Sequence, residues 1–344
     1  MDTSSQYDSD SSHPALDETD HRCLVALQAQ PRATWRELAA LSGVAERTVA
    51  RRLTRLTDRK WVRIIAEMDP WAAGAGPVMH AWITCKSGTI TQVAQHITAL
   101  AQARVVVALA GDADVMAEFN LSSDADVRHM VTELLPAIEG VERVASRLVL
   151  RPFRRAGQWR IEAGAEITTL PSQALEPITL SEGEQRLLAH LAVDGRASIG
   201  ELAQSAGISE PTVLRSLQAL TESGSLNFRV EIEPSLLGFA VEALVSVRAR
   251  PDGVNALADA LGKDSHTRCL FGTSGPSQLF WHVVCRDSLS LWELVTTRLG
   301  ETAGVLSSDT SVVVQAYKRC GIPRKGILLQ ASGPSSPQTG TTAF

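Results

Sequence analysis

The densest run of side chains able to do chemistry lies between Ala45 and Lys60, where six basic residues stand against two acids, Glu46 and Asp58. On a helix, Arg47, Thr48, Arg51, Arg52, Arg55 and Arg59 would be exposed, and positions 48, 51, 52, 55 and 59 fall on one stripe at the 3.6-residue period. Arginine suits nucleic acid because its planar fork bonds guanine O6 and N7 or straddles phosphate oxygens. The whole chain of 344 residues carries a net charge of −5, so a nucleic-acid surface has to be a local patch of this kind.

Catalytic signatures are absent from the sequence. There is no G-x-S-x-G elbow, and Gly262-Lys263 has Leu257 where a phosphate loop needs glycine. Gly272-Thr273-Ser274-Gly275-Pro276-Ser277 can offer backbone N–H groups to an anion but reads first as a strand-connecting turn. Cys23, Cys85, Cys269, Cys285 and Cys320 form no CxxC pair and no zinc spacing, which predicts buried, reduced thiols and no metal or other cofactor. Eight histidines are scattered, with His266 and His282 falling in predicted strands near the C-terminal end. No stretch approaches the roughly 20 apolar residues of a membrane span, and Met1 to Pro14 is polar and acidic rather than a signal peptide. A cytoplasmic protein without a membrane partner is expected.

The elements that position the arginine stripe emerge from an internal repeat at an offset of 164 residues. Leu16, Leu24 and Leu27 fall on Leu180, Leu188 and Leu191, and Glu37-Leu38-Ala39 falls on Glu201-Leu202-Ala203. The register holds through Gly43/Gly207, Pro70/Pro234, Gly74/Gly238, Gly111/Gly275 and Gly140/Gly304. Glycine and proline punctuate the backbone, so their coincidence says more than shared leucine.

Each repeat opens with a helix, a capping box, a second helix, a glycine turn and a third helix. The boxes are Thr34 to Glu37 and Ser198 to Glu201. Gly43 and Gly207 stand where a sharp interhelical turn needs positive φ. Val49, Leu53 and Leu56, matched by Val213, Leu217 and Leu220, line the inner face of the third helix. This is the helix-turn-helix pattern, with Val62-Arg63-Ile64-Ile65 and Asn227-Phe228-Arg229-Val230 as strands in the position of a wing. The two third helices differ. Between Ser209 and Gly224 only Arg215 is basic, against Glu210 and Glu222, so strong DNA binding is expected of the first unit only.

The rest of each repeat reads βαββαβ, the ferredoxin-like order. The expected class is α+β, two winged helix-turn-helix domains alternating with two ferredoxin-like domains. The expected boundaries are a disordered 1–14, helix-turn-helix units at 15–72 and 179–236, ferredoxin-like units at 73–152 and 237–320, a linker at 153–178 (where Ile161 and Ile167 can add a short element) and a disordered 321–344.

These motifs together resemble two tandem members of the Lrp/AsnC family. Leu16-Asp17-Glu18-Thr19-Asp20 is similar to that family's opening, Arg32 to Ala39 to its second helix, Glu46 to Leu53 to its recognition helix, and Met68-Asp69-Pro70 to Gly74 to its hinge. The resemblance implies a regulator of transcription that binds double-stranded DNA, responds to a small effector such as an amino acid, and assembles as a homo-oligomer. It also implies an effector site beside the loop between the middle strands, matched by Gly111, Asp112 and Asp114, where a carboxylate and backbone N–H groups can hold a zwitterion. The second copy has Gly275 and Gln278 there, without the acid. One chain with both copies departs from the usual single-copy member and implies a built-in pseudo-dimer. A related group, the sirohaem decarboxylases, shares the architecture and is the enzymatic alternative; the His and Arg clustering near the hinge expected of that group is not evident in the sequence.

Overall fold

The computed structural model describes residues 16–69, 72–73, 76–161, 178–326 and 328–330. The expected disordered ends at 1–14 and 331–344, and Ile167, lie outside the described residues.

The first repeat begins with α1 (Glu18–Ala29), α2 (Trp35–Ser42) and α3 (Glu46–Asp58). The Thr34/Glu37 capping box forms, and Gly43 ends α2 in the left-handed region at φ 64°. Val49, Leu53 and Leu56 of α3 are buried with Leu24, Leu27 and Leu38. The strand β1 (Val62–Met68) follows. The same plan recurs as α7 (Glu182–Val193), α8 (Ile199–Ala206), α9 (Glu210–Glu222) and β6 (Leu226–Ile232), with Gly207 at φ 67°. Ser209 caps α9 by accepting from the Thr212 N–H, whereas Ala45 gives α3 no side-chain cap.

The strand in each wing position pairs not within its own unit but with its counterpart. β1 and β6 form a two-stranded antiparallel sheet running from Val62 opposite Ile232 to Met68 opposite Leu226. Ile232 thereby enters the core of the first helical unit and Ala66 that of the second. Two reciprocal arginines reinforce the junction. Arg32 donates to the carbonyls of Gly195 and Ala197 (2.6 and 3.0 Å), and Arg196 to those of Pro31 and Ala33 (2.8 Å each). Arg32 also lies over the Phe228 ring, and Arg196 over Trp35.

The first α+β unit comprises β2 (Val78–Cys85), α4 (Ile90–Ala99), β3 (Ala103–Ala110), β4 (Val115–Asn120), α5 (Asp124–His129) running through a π turn (Met130–Leu134) into α6 (Leu135–Ala137), and β5 (Val141–Arg154). The second comprises β7 (Val241–Ala249), α10 (Val254–Gly262), β8 (Thr267–Thr273), β9 (Leu279–Cys285), α11 (Ser288–Glu293) with a π turn (Leu294–Leu299), and β10 (Val305–Arg319). β5 pairs with β2 along its first half and with β8 beyond Val149; β10 pairs with β7 and then, from Val312, with β3. The circuit β3-β4-β2-β5-β8-β9-β7-β10 thus closes into an eight-stranded barrel. The helical faces of its two sheets bury Met79, Ile83, Ile97 and Phe119 in one half and Leu257, Leu270, Trp281 and Leu294 in the other. Each such side chain contributes about 1.5–3 kcal/mol of hydrophobic burial. The opposite faces bring together Trp82, Val107, Met116, Leu244 and Phe280.

The structure moves two boundaries. β5 continues to Arg154, a 3₁₀ turn spans Ala156–Gln158, and Trp159 and Ile161 are buried, so residues 153–161 belong to the folded units rather than to a linker. The expected disordered tail forms β11 (Ile322–Lys325) and β12 (Leu328–Leu329), held because Ile322 and Leu329 bury against Ile65. His266 precedes β8 rather than lying within it. Among the described residues no helix is long and apolar enough to cross a membrane.

Candidate nucleic-acid interface

The arginines of α3 divide into two groups. Arg47 and Arg51 are exposed, and among the described residues their side chains make no ion pair. Thr48 is half-buried beside them, and Arg59 is exposed with its guanidinium 4.9 Å from the Trp61 ring centre. Arg52 and Arg55 instead reach back to α1. Arg52 pairs with Asp17 and, at 3.2 Å, with Asp20; Arg55 meets Asp20 at 2.6 Å. The Asp20 side chain is only 3% exposed, and a buried carboxylate needs a cation or hydrogen-bond donors. The second repeat supports this division. At the position of Arg52 it has Ser216, which donates to Glu184 Oε1 at 2.9 Å, in the place of Asp20. Helical periodicity groups Arg51, Arg52, Arg55 and Arg59 on one stripe; it does not reveal carboxylates of another helix behind part of it. Arg55 remains 39% exposed and keeps an edge toward solvent.

The two helical units differ in charge. Residues 15–72 contain ten basic and eight acidic residues, a net of +2, and residues 179–236 four basic and eight acidic, a net of −4. On α9, Pro211, Leu214, Arg215 and Gln218 are exposed, and Gln218 donates to Glu222 at 2.8 Å. Arg186 and Arg196 are held by backbone carbonyls, which leaves Arg215 as the exposed cation of this helix.

The loop between β3 and β4 has a structural explanation. Asp114 Oδ2 accepts from the Cys85 N–H at 2.7 Å, and Gln278 Oε1 accepts from the equivalent Ala249 N–H at 2.9 Å. An amide does the same work as the acid, so this position ties the end of a strand. A Cβ on Gly111 would stand 2.2 Å from Ser311 Oγ, so the glycine lets β10 pass at the barrel seam. Of the residues expected at an effector seat, Gly111 and one carboxylate oxygen of Asp114 thus also serve in closing the barrel, while Asp112 is exposed.

A second cluster, missed in the sequence, lies where the wing sheet meets the barrel mouth. Glu67 of β1 pairs with Arg104 of β3 and, at 3.3 Å, with Arg229 of β6. Glu231 of β6 faces Arg229 (3.6 Å), Arg268 of β8 (3.5 Å) and Arg324 of β11. Arg319 joins Glu233 (3.2 Å) to Glu242 (2.5 Å), and Glu242 meets His282. On the other sheet, His80 Nε2 lies 3.1 Å from Glu118 Oε2. Burial pushes the Glu242 carboxyl up, but Arg319, His282 and Arg268 outweigh it and hold the group well below the ordinary range. Glu118 is likewise lowered: burial raises it, and His80 and Arg104 more than offset this. Burial lowers His282, with Glu242 opposing. The sequence carried a signal for this cluster, since Glu67/Glu231, Arg104/Arg268, Arg155/Arg319 and Arg160/Arg324 all recur at the 164-residue offset.

Models of two domains match the chain, each twice. The AsnC-type helix-turn-helix domain matches residues 16–57 and 181–221, and the Lrp/AsnC ligand binding domain matches 79–159 and 242–322. The chain belongs to the Lrp/AsnC family. It carries the family's two domains in tandem duplicate. Similar relatives include an uncharacterized HTH-type transcriptional regulator of Pyrococcus furiosus, 28% identical over 140 residues that make up 40% of this chain and 95% of the relative. The HTH-type transcriptional regulator LrpA of Pyrococcus horikoshii is 26% identical over 140 residues, 40% of this chain and 99% of its own. Across both repeats the fold is similar to that of the siroheme decarboxylase NirDL, with a TM-score of 0.59, 16% identity, and coverage of 88% of this chain and 92% of that one.

Proposed function

We propose that this Lrp/AsnC protein is a sequence-specific DNA-binding regulator of transcription whose grip on DNA comes from its first recognition helix. The observation that carries this reading is the exposed Arg47 and Arg51, with half-buried Thr48, on the outer face of α3 and exposed Arg59 at its end, in the helical unit with net positive charge. α3 enters a major groove, Arg47 and Arg51 read guanine edges or clamp phosphates, and Arg59 with Lys60 holds the backbone. Arg55 adds its solvent edge, while Arg52 acts by fixing α3 against α1. The β1–β6 sheet and the reciprocal clamps of Arg32 and Arg196 hold α9 in a fixed relation to α3. The net charge of −4 on the second unit repels phosphate, so one chain grips one half-site well, and a symmetric operator is occupied by two chains in a homo-oligomer. A small metabolite, an amino acid by family resemblance, biases the geometry of the helix pair. The protein works in the cytoplasm.

An electrophoretic shift with fragments of the source genome tests the reading. Arg47→Ala/Arg51→Ala abolishes the specific shift and Arg215→Ala leaves it nearly intact; equal losses from both refute the asymmetry.

The buried His80, His282 and arginine cluster favours a second reading, a tetrapyrrole decarboxylase built on the same fold. Titration with an iron tetrapyrrole, followed by absorbance, separates the two: a saturable Soret shift lost in His80→Ala supports the enzyme, and an unchanged spectrum removes it.

A further inference from the structure

We propose that the C-terminal hairpin β11–β12 serves the first recognition helix as a wing, so that Lys325 beside its turn and Lys60 at the end of α3 hold phosphates of the same duplex. This rests on the reading of α3 as the helix that grips DNA, and adds to it a contact supplied by the opposite end of the chain.

Four observations carry the assignment. First, α3 has no wing of its own, because β1, the strand that follows it, pairs with β6 of the other repeat. Second, β11 and β12 supply the missing shape beside α3. They pair antiparallel, Arg324 opposite Leu329 and Lys325 opposite Leu328, with Gly326 left-handed at φ 59° in the turn. The Leu329 N–H donates to the Lys60 carbonyl at 3.0 Å, which bonds the hairpin to the chain just past the end of α3. At about 5 Å between neighbouring strands, Lys325 lies on the order of 10 Å from Lys60, a span of roughly three phosphates along one strand of a duplex. Third, the hairpin is anchored behind and free in front. Ile322 and Leu329 bury against Ile65, and the buried Arg324 is held by Glu231 and, at 3.4 Å, by Glu233. Lys325 and Leu328 are exposed, and Lys325 makes no ion pair among the described residues. Fourth, Lys60 stands where a side chain is unfavourable. Its φ is 58°, and its counterpart 164 residues on is Gly224 at φ 72°. Glycine takes that conformation freely and lysine does not, so the fold carries this lysine at a conformational cost.

The feature belongs to one repeat only. Exposed Arg59, Lys60 and Lys325 gather at this end of α3, with Asp58 as the acid beside them in sequence. The positions that match Arg59 and Lys60 are Ser223 and Gly224, and the one that matches Lys325 is Ile161, buried in the core of the first helical unit. A positive edge flanking a recognition helix holds the sugar-phosphate backbone and sets the register of that helix without reading bases. Because β11 follows directly from β10, the same hairpin ties the closing strand of the barrel to the DNA-facing surface.

The test is anisotropy of the full chain across a salt series, on a duplex selected from the source genome and on a scrambled duplex of the same length and composition. Lys325→Gln and Lys60→Gly each weaken binding to both duplexes by the same factor and each reduce the slope of log K against log salt by about 0.9, the signature of one lost phosphate contact. Lys263→Gln removes the same charge from an exposed lysine after α10 and leaves affinity and slope at their wild-type values. Urea unfolding separates contact from folding: Lys325→Gln keeps the wild-type midpoint, and Lys60→Gly unfolds no earlier than wild type, since glycine fits the left-handed backbone. The proposal is overturned if Lys325→Gln retains the wild-type slope, or if Lys263→Gln lowers the slope as much. Either result leaves the loss of binding in Arg47→Ala/Arg51→Ala, and with it the reading of α3, intact. A wild-type chain that binds neither duplex overturns both.

Discussion

Adjacent arginines on α3 are predicted to fail in different ways when removed. Arg51 is exposed and outside the α1–α3 ion pairs, whereas Arg52 pairs with Asp17 and Asp20. For Arg52→Ala, the bond to the half-exposed Asp17 is worth little, but the bond to buried Asp20 is a charge-assisted tie. Arg55 still serves Asp20, so the carboxylate is not wholly abandoned and the loss of stability is about 1–2 kcal/mol. Arg51→Ala leaves stability within about 0.5 kcal/mol. On DNA the order reverses. Arg51→Ala lowers affinity by about 1–3 kcal/mol and reduces the slope of log K against log salt by about 0.9 if its partner is a phosphate. Urea unfolding followed by tryptophan fluorescence, beside anisotropy of a labelled operator across a salt series, reads both effects. The reasoning is refuted if Arg52→Ala unfolds at the wild-type midpoint and loses as much salt slope as Arg51→Ala.

Three further outcomes follow from the geometry. Arg32→Ala or Arg196→Ala removes two charged hydrogen bonds to backbone carbonyls across the β1–β6 junction and costs about 1.5–3 kcal/mol in urea unfolding; a loss under about 0.5 kcal/mol would show the clamps to be ornamental. Asp264→Ala tests the contribution of a carboxyl which burial raises but which His266 and Arg298 bring down from 3.8 to about 2. A depressed carboxyl stabilises the fold above its unfolded value, so the difference from wild type is about 2 kcal/mol at neutral pH, shrinks as pH falls from about 4 to 2, and should not grow with acid. Asp114→Gln should unfold within about 0.5 kcal/mol of wild type, because Gln278 makes the same bond in the other repeat, while Asp114→Ala loses about 1–2 kcal/mol; equal losses would contradict the structural role given to this side chain.

The local elements were legible because their signals are local. Thr34 with Glu37, Ser198 with Glu201, and Gly43 with Gly207 mark helix ends through hydrogen bonds and φ values that depend on a few neighbouring residues. The partner of a strand is not encoded in that way. Val62 to Ile65 reads as a wing strand from its own residues, and only the fold reveals that β6 completes it. β5 runs past the expected boundary at 152 for the same reason, since its distal half pairs with a strand of the other repeat. The tail was misread because Ile322 and Leu329 gain their burial from Ile65, far away in sequence. The candidate site was half legible. Residue type picked out α3, but the division between Arg51 and Arg52 depends on Asp17 and Asp20 of another helix. Recurrence of Glu67 and Arg104 as Glu231 and Arg268 was visible in the repeat, though nothing in one dimension shows those residues converging under the wing sheet.

The most direct measurement is anisotropy of the full-length protein on a duplex selected from its own genome, taken from low to physiological salt, with Arg47→Ala/Arg51→Ala and Arg215→Ala in parallel. The account predicts tight, steeply salt-dependent binding that the first variant abolishes and the second barely alters. Failure of the wild-type protein to bind any duplex at low ionic strength, or binding that both variants weaken alike, would contradict it.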